Sequence, residues 1–149
     1  MRLFSKRAAF SDGDVDLVLS GEDVRDAFCG IEDGFTFLMY KKGTRRYMGY
    51  VSLRLGESGG LYYLGHIGYR VEEAYRGQHL AERACRLMMP LMKKIGLHSV
   101  VITTNVENIA SRRTAERLGC VLESIVPVPE YYRGICAGAT HKCRYIWRV

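Results

Sequence analysis

The chain has 149 residues, of which 48% are hydrophobic and 26% charged. That length fits one domain over residues 1–149, since domains cluster near ~100–150 residues, and the composition excludes a disordered or low-complexity chain. The net charge of +6 suits a nucleic acid, an acidic membrane surface or a polyanionic small molecule. The basic residues occur as scattered pairs (Lys41-Lys42, Arg45-Arg46, Lys93-Lys94, Arg112-Arg113) without a dense block, so charge alone selects none of these. No apolar run approaches the ~18–20 residues of a membrane span, and Met1–Lys6 lacks a signal-peptide stretch, which makes cytoplasmic the expected location. Five cysteines (Cys29, Cys85, Cys120, Cys136, Cys143) form no CxxC pair and no zinc spacing. They read as buried free thiols, with no metal site expected.

In chain order, period-two and short apolar runs predict strands at about 14–20, 35–40, 46–54 and 61–71. Residues 22–28 are a weak helix candidate between the first two. Lys41-Lys42-Gly43-Thr44 reads as a hairpin turn, and the glycine-rich break at 56–60 introduces the fourth strand. From Gly77 to Ile95 the pattern changes. Leu80, Ala84, Leu87, Met88, Leu91 and Ile95 recur at three- and four-residue spacing, the stripe of an amphipathic helix, with a bend expected at Pro90 and a stop at Gly96. A buried strand at 99–103 follows. Asn108 then caps a helix over 109–118 that Gly119 closes. Two last strands are expected at 120–126 and 140–148, and those around 140–149 are candidates for pairing in a dimer. This order predicts a mixed α/β sheet with a strand–loop–helix unit at its centre.

That unit is the informative stretch. A strand ending in Ile67-Gly68-Tyr69-Arg70-Val71 runs through a short loop into the long helix. The first turn of a helix leaves N–H groups without intrahelical partners at an electropositive end, a ready site for phosphate. Gly77 lets the backbone approach a ligand, Ala81 keeps the second turn small, and Arg76 adds positive charge.

The segment Tyr75-Arg76-Gly77-Gln78-His79-Leu80-Ala81 resembles the acetyl-CoA loop of the GNAT superfamily of N-acetyltransferases, whose pattern is Arg/Gln-x-x-Gly-x-Gly/Ala. Arg76 and Ala81 match it, whereas His79 stands where the pattern has its central glycine. A helical φ there would tolerate histidine. Gly65-His66-Ile67-Gly68-Tyr69 upstream is similar to the strand that enters this loop in the ribosomal-protein and small-amine acetyltransferase branch. Downstream, Asn108-Ile109-Ala110-Ser111 and Glu116-Arg117-Leu118-Gly119 resemble the family's Asn-x-x-Ser/Ala helix ending in Leu-Gly. Together these cover roughly residues 46–126, while the first 30 residues are short for the family.

The resemblance implies a central, mostly antiparallel twisted sheet of six to seven strands with flanking helices. It also implies acetyl-CoA as cofactor, and direct transfer of acetyl to a primary amine with no covalent enzyme intermediate. The implied cofactor-binding residues are Tyr69, Val71, Arg76, Gly77, Gln78, His79, Leu80, Ala81, Asn105, Asn108 and Ser111. His66 stands where many relatives carry a basic glutamate, with Glu72 and Glu107 as substitutes. It reads equally as a half-buried ring satisfied by backbone. The usual acidic tyrosine falls on Ala115, which leaves Ser111, Tyr131 or Tyr132 for that role. Asn108 is a plain helix cap whatever else it does, and the charge near Arg76, Arg112 and Arg113 is explained by cofactor phosphates. A small-molecule or peptide amine is the expected partner, with neither nucleic acid nor membrane, and the chain is a monomer or homodimer. The alternative reading is a silent CoA-binding regulatory module.

Overall fold

A computed structural model describes residues 8–149. Eleven regular elements follow one another as β1 (Phe10–Ser11), β2 (Val15–Leu19), β3 (Asp33–Lys41), β4 (Tyr47–Leu55), α1 (Gly59–Leu64), β5 (Ile67–Val71), α2 (Leu80–Lys94), β6 (Ser99–Asn105), α3 (Ile109–Arg117), β7 (Val121–Pro127) and β8 (His141–Arg148). Short 3-10 turns lie at Glu73–Tyr75 and Glu130–Cys136. The strands form one sheet in the order β1-β2-β3-β4-β5-β6-β8-β7. Every pairing is antiparallel except β5 with β6, which are parallel and in register at Ile67 and Ile102 alone.

Alternation along the strands divides the sheet into two faces. Leu17, Phe37, Met39, Val51, Leu53, Ile102 and Tyr145 are buried on one of them, together with Ala84, Cys85, Met88 and Met92 of α2. At ~1.5–3 kcal/mol for each large side chain removed from water, this face supplies most of the driving force for folding. Arg83 of α2 holds the first strands against the helix through an ion pair to Asp12 at 3.1 Å. Among the described residues, the opposite face is covered by α1, the turn at Glu130–Cys136 and the 22–31 loop.

The predicted strands at 14–20, 35–40, 46–54, 99–103, 120–126 and 140–148 and both long helices are present. The helical stripe is rotated slightly from its expected line. Ala81, Cys85 and Met92 are buried, whereas Ile95 lies beyond the helix and is 39% exposed. Pro90 faces solvent within α2, which continues through it to Lys94.

Three expectations are corrected. Residues 61–71 are not one strand. The Ser58 hydroxyl caps the Leu61 N–H at 3.1 Å and Gly65, at φ 83°, closes a helical turn before β5 begins. Residues 22–28 do not form a helix, because the Asp26 carboxylate accepts from the Cys29 N–H at 3.0 Å and the Asp26 and Ile31 backbones bond to each other, making a tight turn. Finally, β8 is not free to pair in a dimer. It lies between β6 and β7, and the sheet ends in β1 on one side and β7 on the other.

Candidate functional site

Beyond Ile67 and Ile102 the two parallel strands are no longer in register, and a groove of about 540 Å³ opens there between β5, α2 and α3. Nine of the predicted residues meet on its wall: Tyr69 and Val71 from β5, Arg76, Gly77, His79, Leu80 and Ala81 from the loop and α2, and Asn108 and Ser111 at the start of α3.

The loop is shaped by two left-handed residues. Gly77 has φ 85° with open space on its Cβ side, and His79 has φ 57° and ψ 30°. The helical backbone expected at His79 is therefore not what forms. This conformation costs a residue with a Cβ roughly 1–2 kcal/mol, which accounts for the glycine in the family pattern. His79 occupies the N-cap position without a side-chain cap, and the first helical bond is Arg83 N–H to His79 O at 3.0 Å. The N–H groups of Leu80, Ala81 and Glu82 thus have no intrahelical acceptor at an electropositive end. Arg76 is anchored by its Nε to the Val71 carbonyl at 3.1 Å.

Arg70, Arg113 and Arg117 also line the groove. Arg113 is among the cations expected to face phosphate, whereas Arg70 on β5 and Arg117 at the end of α3 are not, because each lies on an element other than the Arg76 loop. The carboxylate that answers them is Glu82, 3.5 Å from Arg117 and 3.3 Å from Arg86. Arg112, expected among the phosphate-facing cations, turns away. Its Nε donates to the Tyr145 hydroxyl at 3.0 Å and its Nη1 to the Val106 carbonyl at 3.2 Å, making it a packing brace.

At the inner end, the Asn108 Oδ1 accepts from the Ser111 N–H at 3.1 Å and fixes the start of α3. The Tyr69 hydroxyl reaches across from β5 to the Ser111 hydroxyl, 2.6 Å away. Burial pushes the Tyr69 phenol up to about 12, so it stays protonated over the working pH range. Ala115, where the resemblance places a tyrosine, is wholly buried in the core. A phenol is nevertheless present, on the opposite wall and 42 residues away from Ser111 in sequence.

Gln78 and Asn105 do not line the groove, and His66 lies outside it. The His66 Nδ1 accepts from the Val101 N–H at 3.0 Å, and the ring also bonds to the Gly56 backbone. A ring held this way carries its proton on Nε2 and has no lone pair to offer an amine. Burial lowers its pKa below the ordinary value. The predicted base is thus placed as a brace between β6 and the end of β4.

No thiol is poised as a nucleophile here. Burial raises the pKa of Cys29, Cys85 and Cys136, and pushes that of Cys120 up to about 11. The five cysteines are free. Among the described residues no cluster of His, Cys, Asp or Glu is placed to hold a metal, and no helix is long and apolar enough to cross a membrane.

The family model of the acetyltransferase (GNAT) domain matches residues 9–121. The chain belongs to the GNAT acetyltransferase family. No curated protein matches the sequence. Solved structures of similar fold include the ribosomal-protein-S5-alanine acetyltransferase from Vibrio fischeri, 22% identical with a TM-score of 0.62 over 77% of this chain and 61% of that one. A ribosomal L7/L12 alpha-N-protein acetyltransferase in complex with coenzyme A is 22% identical, with a TM-score of 0.59 over 78% and 62% of the two chains. The microcin C7 self immunity acetyltransferase in complex with acetyl-CoA and AMP is 20% identical, with a TM-score of 0.60 over 78% and 61%. This GNAT chain spans roughly three-fifths of the length of those structures. What it shares with them is the fold.

Proposed function

We propose that this protein is an acetyl-CoA-dependent N-acetyltransferase that passes the acetyl group directly to a primary amine. The observation that carries the reading is the arginine-lined groove, which begins at the uncapped N-terminus of α2 and ends at the paired hydroxyls of Tyr69 and Ser111. The groove fits the cofactor in size and charge. Its volume falls within the ~300–1,000 Å³ of ligand pockets, and its lining includes arginines and no carboxylate.

Acetyl-CoA supplies the acyl group, activated as a thioester, together with a thiol as the leaving group. The chain's residues do the rest. Arg76, Arg113 and Arg117 bind phosphate with the free N–H groups of α2. Gly77 allows close approach of the backbone, and Asn108 orients α3. Ser111 gives its proton to the departing thiolate, while Tyr69, its hydroxyl neighbour, positions Ser111 and passes a proton to it. The proton lost by the attacking amine returns to Tyr69 through solvent. With every shifted thiol raised, no cysteine is needed for a covalent step. Five free thiols also fit a reducing, cytoplasmic compartment.

Calorimetric titration with acetyl-CoA and CoA tests this reading. The wild type binds in about the micromolar range. Arg76→Glu weakens binding by about 10- to 100-fold, the loss of a charge-assisted hydrogen bond worth ~1.5–3 kcal/mol. Ser111→Ala keeps the affinity and lowers thiol release with a panel of amines by about 10²-fold or more. Absence of binding by the wild type at millimolar cofactor overturns the reading. Binding without turnover on any amine identifies a silent CoA-binding module instead.

A further inference from the structure

The sheet face turned away from α2 carries two half-buried cations, neither of them in an ion pair among the described residues. Arg54 on β4 lays its guanidinium over Gly68 of β5, where any Cβ would collide with it. Its Nη1 donates to the carbonyls of Leu64 at 3.3 Å and Gly65 at 3.2 Å. Among the described residues, the groups that bear on its charge are the hydroxyl of Tyr50 and the thiols of Cys29 and Cys136, with no carboxylate. Lys142 on β8 stands opposite Asn105 of β6 in the ladder. Burial holds its ammonium below the ordinary value, with Arg54 acting in the same direction and the Cys136 thiol and the exposed Glu107 carboxylate acting in the other. The third member is Asn105, whose side-chain Oδ1 is buried without a hydrogen-bond partner.

Each of these features costs free energy when left without a partner. Cations withdrawn from water need an anion, and a buried carbonyl oxygen needs a donor. Their position identifies what is missing. Gly68 and Tyr69 are consecutive on β5 and point to opposite faces. The three residues therefore lie on the sheet face opposite the groove, beside the place where β5 parts from β6.

We propose that Arg54 and Lys142 bind an anionic group of the acceptor while Asn105 Oδ1 accepts from its amine, so that the acceptor is a small amine that also carries a carboxylate or a phosphate. Residues directly opposite in an antiparallel pair have Cβ atoms ~4.5–5.5 Å apart, which sets Lys142 and Asn105 to grip two groups separated by a few bonds. A peptide N-terminus, with a neutral amide beside its amine, lacks the second group. The inference rests on the acetyl-transfer reading and adds the acceptor class to it.

The test compares matched acceptors on the acetyl-CoA-loaded protein: β-alanine against β-alaninamide, phosphoethanolamine against ethanolamine, and a short neutral peptide with a free N-terminus. Thiol release is expected to favour the anionic member of at least one pair by tenfold or more in kcat/KM, and which pair it is separates carboxylate from phosphate. Lys142→Met removes that preference, and CoA titration of the variant reports that it is folded. Propionate and inorganic phosphate, titrated into CoA-saturated protein, provide a readout without turnover, and one of them binds to the wild type and not to Lys142→Met. Equal use of charged and neutral acceptors, preference for the peptide, or absence of anion binding while CoA still binds overturns the proposal. Loss of CoA binding itself would strike the acetyl-transfer reading instead, and the anion titration still reads this pocket separately.

Discussion

The two faces of the sheet are built on different principles. Under α2 and α3 the face is closed by aliphatic packing, with Met88, Ala84 and Cys85 fully buried against strand residues. Across the sheet the cover is thin and aromatic. Tyr62 meets Tyr63 edge to face and Tyr63 meets Tyr132 at a tilt, with ring centroids 4.9 and 5.6 Å apart, Tyr131 and Phe28 continue the cluster, and Arg144 lies 3.6 Å over the Tyr62 ring. The first face gives stability and carries the phosphate-binding turn as the end of a well-packed helix. The second holds polar and cationic groups, Arg54, Lys142 and Arg144, under that thin cover. Apolar packing is thus concentrated on one side of a single sheet and half-buried charge on the other.

Substitutions sharpen that contrast. Met88→Ala is expected to cost about 2–5 kcal/mol, because the cavity it leaves has no room to collapse. Tyr131→Ala, at a side chain 70% exposed, is expected to cost under about 1 kcal/mol. Denaturant melts measure both, and equal costs would show that the aromatic cover is a second core.

His66 gives the next largest effect. Its folded-state pKa is depressed by burial, so the unfolded chain takes up the proton first. The stability of the neutral ring is complete above about pH 6.5 and declines as pH falls through the folded-state value. Wild-type thermal stability is therefore expected to drop between pH 7.5 and 5 by more than that of His66→Ala. If the ring is a brace, the variant's residual transfer activity keeps the wild-type pH profile; loss of a limb from that profile would restore His66 as the base.

The smallest effect is expected at His79. Glycine there removes the left-handed strain but adds ~0.5–1 kcal/mol of chain entropy to be lost on folding. His79→Gly should change stability by less than about 1 kcal/mol and leave CoA affinity equal or tighter by calorimetry.

Most of the first face was legible in the sequence because its signals are local. The 3.6-residue spacing in α2, the Asn108 cap and the Arg76-Gly77 turn each lie within a few residues. Misreadings occurred where a local propensity was overridden. Leu61-Tyr62-Tyr63 has the aromatic bulk of a strand, yet the Ser58 cap and Gly65 make it helical. The Asp26 turn likewise defeats the weak helix at 22–28. What could not be read is what tertiary structure brings together: Tyr69 against Ser111, Arg54 over Gly68, and Lys142 beside Asn105.

Most sheets expose their unpaired N–H and C=O groups along outer strands, where they invite other chains to add on. Here β5 and β6 pair at a single position, Ile67 with Ile102, and part beyond it beside two helices. An opening at the midline is flanked by sheet on both sides, so it does not offer the outer edge on which another chain adds.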